Sequence, residues 1–119
     1  MKRVTLFLWM ILIFIPSLVL AGALTSGSAT VTTAGTKVQV SATSTKIYWI
    51  DIQSKCDNTN YIYVGGSNLN NTIGISLTPC SMITLESGNA GKDPLNLTDI
   101  YIDSLVNGEG VRVNYWTYP

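Results

Sequence analysis

The stretch "LVNGEGVRVNYW", residues 105–116, decides the fold. Val111, Val113 and Tyr115 alternate with Arg112, Asn114 and Trp116, a period of two that belongs to a strand with one buried face. Just before it, Asn107 and Gly108 supply residues tolerant of positive φ between two β-runs. That is the usual mark of a two-residue hairpin. The expectation is therefore a hairpin turning at Asn107 and Gly108, with Val111, Val113 and Tyr115 inward and Arg112, Asn114 and Trp116 outward.

The same alternation recurs upstream. "KVQVSAT" (37–43) alternates Val38 and Val40 against polar neighbours. "KIYWIDIQS" (46–54) predicts Tyr48, Ile50 and Ile52 on one face and Ile47, Trp49 and Asp51 on the other. "NYIYVGG" (60–66) sets Ile62 and Val64 together against Tyr61 and Tyr63. "SMITLES" (81–87) and "DIYIDSLV" (99–106) repeat the pattern with Ile83 and Leu85, then Ile100 and Ile102. "SGNAGKDPLN" (87–96) has no alternation and reads as a surface loop. Short alternating runs parted by Gly, Asn, Asp and Pro predict an all-β antiparallel sandwich, jelly-roll or Ig-like, of about 7–8 short strands.

Outward from that domain, the N-terminus reads differently. Lys2 and Arg3 precede a long apolar run that ends in Ala21-Gly22-Ala23, the three parts of a secretory signal peptide. Residues 1–23 are accordingly expected to be a signal peptide, cleaved after Ala23 or, as second choice, after Ala21. The rival reading is an uncleaved anchor, because residues 4–24 are long enough to cross ~30 Å of hydrocarbon as a helix. Residues 24–37, rich in Ser, Thr, Gly and Ala, are expected to be a linker with room for a weak first strand at "ATVTT". Residues 38–119 would then be the sandwich.

Composition narrows the function classes. Seven basic and seven acidic residues give zero net charge, which turns slightly negative once Lys2 and Arg3 are removed. Binding nucleic acid requires a basic field, and none is present. Charge-driven attraction to a membrane is disfavoured for the same reason, leaving residues 4–24, if uncleaved, as the membrane contact. Cys56 and Cys80 are an even pair without CxxC spacing, most simply a disulfide in an exported chain. Such a bond would stabilise the fold by about 3 kcal/mol in the chain-entropy description.

The sequence contains no histidine, so neither a Ser-His nor a Cys-His nucleophile can be assembled. Asp99 and Asp103, read as exposed acids on one strand face, would lie ~13 Å apart at strand rise. Glycosidase carboxylate pairs sit closer. Asp93, Asn96 and Asp99 could offer oxygens from one loop, but their spacing fits no EF-hand pattern. The expectation is no catalytic residue, no metal and no cofactor. The aromatics are a better lead. Trp49, Tyr61, Tyr63, Tyr101, Trp116 and Tyr118 fall opposite the aliphatic positions, and such residues bury large areas with few rotors at recognition surfaces.

Four stretches carry a family resemblance: "VTTAGTKVQVSATSTK" (31–46), "IYVGGSN" (62–68), "GISLTP" (74–79) and "IYIDSLVNGEGVRVNYW" (100–116). From about Ala29 to Trp116 the chain resembles a small β-sandwich domain of tailed-phage virion proteins, of head-fibre or decoration type. The resemblance implies a non-enzymatic structural or surface-display protein at the virion surface. Its partners would be other virion or surface proteins, or further copies of itself. The alternative reading is an exported bacterial adhesin-like or glycan-binding module. The aromatics would then be its contact surface.

Overall fold

Branched apolar residues at every second position favour extended backbone and leave one face to be buried. The computed structural model, which describes residues 22–89 and 92–119, shows how that demand is met. Among these residues nine strands form: β1 (Leu24–Thr30), β2 (Val38–Gln39), β3 (Lys46–Ser54), β4 (Ile62–Gly65) and β5 (Ile75–Leu77), then β6 (Met82–Glu86), β7 (Leu95–Asn96), β8 (Tyr101–Ser104) and β9 (Gly110–Thr117). Among the described residues the one helical element is a short 3-10 turn at Leu97–Asp99. One sheet has the order β1-β9-β3-β6, with β7 also pairing β3, and the other has the order β2-β8-β4-β5. Every pairing is antiparallel. The protein is an all-β, two-sheet antiparallel sandwich.

Its core lies between the sheets. Ile47, Ile50, Ile52, Val111 and Val113 come from the first sheet, and Ile62, Val64, Leu77 and Ile102 from the second. Ile47, Ile50, Ile52, Ile62 and Ile102 are each 0% exposed. Burying an isoleucine fully is worth about 1.5–3 kcal/mol, so each of these five is a large contribution to the apolar term.

Several expectations need correction. The first is the hairpin at Asn107 and Gly108. Gly108 does adopt positive φ, at 83°. Yet β8 belongs to the second sheet and β9 to the first, so the two do not pair. Residues 105–109 are a corner that carries the chain across the sandwich. The corner is fixed from outside: Gly108 N–H donates to the Val31 carbonyl, Val31 N–H donates to the Glu109 carbonyl, and Ala34 N–H donates to Asn107 Oδ1. These contacts with the loop after β1 replace the cross-strand bonds a hairpin would make. The inward and outward faces of β9 are as expected, with Val111 and Val113 buried and Arg112, Asn114 and Trp116 exposed.

The second correction concerns residues 24–37. Instead of a linker holding a strand at "ATVTT", all seven residues of β1 pair with β9, from Leu24 opposite Trp116 to Thr30 opposite Gly110. Val31, next in the chain, is fully buried. The sandwich therefore begins at β1, well before residue 38. The third concerns β3, whose pairing with β9 shifts register between Ile47 and Trp49. This bulge inserts Tyr48 as an extra residue and reverses the phase ahead of it, so that Ile47 joins Ile50 and Ile52 in the core. Fourth, Asp99 lies in the 3-10 turn, and Asp103 is only 4% exposed. Asp103 sits on a central strand opposite Tyr63, and its Oδ1 accepts the Ser104 N–H. It is not a solvated surface acid.

Candidate interaction surface

The outer face of the first sheet follows from the strand register. Leu24, Trp116, Trp49 and Glu86 form one row across its four main strands. The next row is Ser26, Asn114, Asp51 and Thr84, and it is polar and internally bonded. Ser26 Oγ donates to Asn114 Oδ1 at 2.6 Å, and Thr84 Oγ1 donates to Asp51. The larger apolar surface is at one end, where Leu24 is 59% and Trp116 38% exposed, while Met82 on the edge strand β6 is a separate exposed apolar side chain toward the other end. Trp49 and Trp116 stand directly across from one another.

The bulge enlarges this end. Tyr48 stacks on Tyr118, ring centroids 4.2 Å apart and planes 24° from parallel. Burial and the neighbouring Tyr48 push the Tyr118 hydroxyl above its ordinary range. Tyr118 is held by its N–H donating to the Lys46 carbonyl. The chain enters at the same place. Ala23 N–H donates to Thr117 Oγ1, and Thr117 N–H donates to the Ala23 carbonyl. Gly22 lies so close that a Cβ there would come within 2.7 Å of Trp116 Nε1.

Of the six aromatics expected to act together, the structure joins only three, Trp49, Trp116 and Tyr118. Tyr63 and Tyr101 project from the other sheet, on β4 and β8, and Tyr61 precedes β4 at 47% exposure. Tyr101 lies across from Gly65 and Gln39, with the Lys37 ammonium 5.8 Å from its ring centroid. Leu24 and Tyr48 belong to the aromatic end but were not anticipated. Leu24 stands in a stretch without strand alternation, and strict alternation turns Tyr48 inward. No sequence signal marks the bulge.

The far end of the same sheet is polar. Lys55, Asp57, Asn58, Thr59, Asn107 and Glu109 are among the residues lining a cleft of about 220 Å³. Glu109, 5% exposed, is its central group. Oε1 accepts from Thr59 N–H, Thr59 Oγ1 and Asn60 N–H, while Oε2 accepts from Ser104 Oγ. Burial pushes this carboxyl up, but the hydrogen bonds from Thr59, Ser104 and Asn60 outweigh it and hold the group below its ordinary value. Asn58 is equally committed: Nδ2 donates to Ser54 Oγ and the Gly110 carbonyl, and Oδ1 accepts Gly110 N–H. Beside the cleft, Cys56 and Cys80 are disulfide-bonded. Asn96 Oδ1, one of the oxygens weighed for calcium, instead accepts from Thr45 N–H, Thr98 N–H and Thr98 Oγ1.

An ionised carboxylate saturated with donors is poorly suited to proton transfer near neutral pH. The cleft works as a brace. At the aromatic end the indoles of Trp49 and Trp116 carry no comparable hydrogen-bond network among the described residues, and the surface there is ring face and aliphatic carbon. No family model, curated protein or solved structure matches the chain.

Proposed function

We propose that this is an exported, non-enzymatic protein that works by contact, and specifically a virion structural or surface-display protein of the phage head-fibre or decoration kind. One observation carries the contact reading: the Trp49–Trp116 pair at the open end of the first sheet, flanked by exposed Leu24. An exposed indole, Trp116, backed by the half-buried Trp49 is well suited to binding another surface. The virion reading draws its support from the sequence resemblance of residues 29–116. Mass spectrometry of purified particles from a producing culture tests it. The chain should be found in fixed stoichiometry with capsid or tail proteins. Its absence from particles, with the chain present on cells, would overturn the virion assignment.

The same indole pair supports a second reading, a glycan-binding module, because two adjacent rings on a flat sheet suit the apolar face of a sugar. A glycan array giving selective binding that is lost in Trp49→Ala would favour it over the virion reading.

A further inference from the structure

We infer that the free edge of β6 is a self-association surface, along which two copies of this chain join their first sheets about a two-fold axis at Thr84. This edge is separate from the indole pair that carries the proposed function, and its partner is a second copy.

The edge is bare. In the first sheet β6 pairs with β3 alone, from Met82 opposite Gln53 to Glu86 opposite Trp49, without a bulge. Ser54 N–H donates to the Ser81 carbonyl and Ser87 N–H to the Tyr48 carbonyl, so the odd-numbered positions turn their backbone to β3. By strand alternation Met82, Thr84 and Glu86 turn theirs to the open side, where no hydrogen bond meets them among the described residues. Sheet edges are commonly blunted by lysine, proline, a bulge or shortness. None of these occurs within the five residues of β6, whose one charge, Glu86, is at its end. The other edges differ: β2 and β5 have two and three residues, and β1 beyond Leu24 carries only small residues.

The core is also open along this side. Ile83 and Leu85 lie opposite the fully buried Ile52 and Ile50, yet are themselves only partly buried. β5, joined to β6 through residues 78–81, ends the second sheet. Its Ile75 lies beside Val64 on the inner face and is 45% exposed. A strand that closes this seam must bring an apolar residue at every second position, and β6 is such a strand.

Self-pairing has one full register. With Thr84 opposite Thr84 of the second copy, Met82 meets Glu86 and Glu86 meets Met82. All three positions point N–H and C=O outward, so about six backbone hydrogen bonds form. Ile83 then faces Leu85 of the second copy, and the apolar row runs on from one copy into the next. No like charges are opposed. Residues 75–85 contain no charged side chain, so exposed Lys92 and Asp93, in the loop after β6, come beside a neutral turn of the second copy. The pairing is isologous and uses up the edge, so it stops at two copies. Its axis is perpendicular to the sheet, and both Trp49–Trp116 pairs therefore face the same way. Two such contacts on one target act together.

Sedimentation velocity of the full chain in mild detergent tests this, with residues 1–21 common to every variant. Wild type should be largely dimeric at about 100 µM, an affinity in keeping with a small interface. Thr84→Lys and Thr84→Glu, each alone, set like charges at the axis and should weaken association by about tenfold or more, while their equimolar mixture restores it. Position 82 faces Glu86 of the second copy, so Met82→Glu should weaken association and Met82→Lys strengthen it. Met82 is 58% exposed, which keeps this second pair of variants folded. Wild type that stays monomeric at that concentration overturns the inference. A Thr84 mixture no more associated than its components overturns it, as does the same response to both Met82 variants. Association lost in Trp116→Ala but kept in Met82→Glu overturns it too, and assigns self-contact to the aromatic end. Loss of the dimer alone leaves the proposed function standing, because the indoles lie outside the paired edge. A chain absent from particles leaves the dimer standing.

Discussion

The two ends of the first sheet are built on opposite principles. At one end, the β3–β4 loop, the 105–109 corner and the start of β9 are bound by Glu109, Asn58 and the Cys56–Cys80 bond. At the other end, Trp49, Trp116 and Leu24 lie on the outer face, and Trp116 and Leu24 are substantially exposed. The difference separates what keeps the sandwich closed from what leaves side chains open to solvent. A buried polar group acts through its hydrogen bonds, and losing them is costly. An exposed ring contributes little to folding and is free to bind.

Damage to the braced end should be the most severe. Glu109→Ala would leave the buried Ser104 hydroxyl and the partly buried donors of Thr59 and Asn60 without their acceptor, which should cost about 2–3 kcal/mol. Denaturant unfolding measures this directly; a loss below about 1 kcal/mol would mean water replaces the carboxylate at no cost. The same group makes stability depend on pH. Its folded-state pKa lies below the ordinary glutamate value of 4.5, so the unfolded chain takes up the proton first as pH falls. The stabilisation is complete above that ordinary value and disappears as pH drops through the depressed folded one. Melts of wild type and Glu109→Gln should therefore converge in acid.

The disulfide ranks beside it. Removing it as Cys56→Ala with Cys80→Ala should cost about 3 kcal/mol, somewhat less if the unfolded chain is already compact. Cys80 adds a finer prediction. It has φ of 71°, follows Pro79, and lies in a turn closed by Ser81 N–H donating to the Thr78 carbonyl. Pro then positive φ is the type II pattern, which favours glycine at the third position. Cys56→Ala with Cys80→Gly should thus be more stable than the double alanine by about 1 kcal/mol. Equal melting temperatures would show that the turn relaxes once the bond is gone.

Gly108→Val should follow, at about 1–2 kcal/mol. The space beside Gly108 is open, so the cost would come from its φ of 83° and not from a clash. This substitution also shows where the sequence was legible. The backbone requirement at Gly108 can be read from Asn-Gly between two β-runs. The partner of each run cannot, because alternation says which face is buried and not which sheet buries it. For β1 even the strand is obscure: "LTSGSAT" buries little and is held by its backbone ladder with β9. Strict alternation puts Tyr48 on the wrong face because one inserted residue reverses the period. Glu109 gave no signal at all, since an acid in a polar loop is ordinarily exposed. The aliphatic faces of β3 beyond the bulge, β4 and β9 were legible because burial there follows a strict period of two.

The smallest effect is expected at the open end. Trp116→Ala removes an indole that is 38% exposed and faces Trp49 across the strands. The lost aromatic pair should cost about 1 kcal/mol or less. Neighbouring Val113, by contrast, is 3% exposed on the inner face of the same strand. Val113→Asp would bury an unpaired charge and should be far worse. A melt series on these two variants therefore measures the division between faces on one strand, independent of any partner. If Trp116→Ala proved as damaging as Glu109→Ala, the aromatic end would be part of the brace. A near-native melt together with lost surface binding would make Trp116 a residue kept for contact, since its indole would then be dispensable to the fold that presents it.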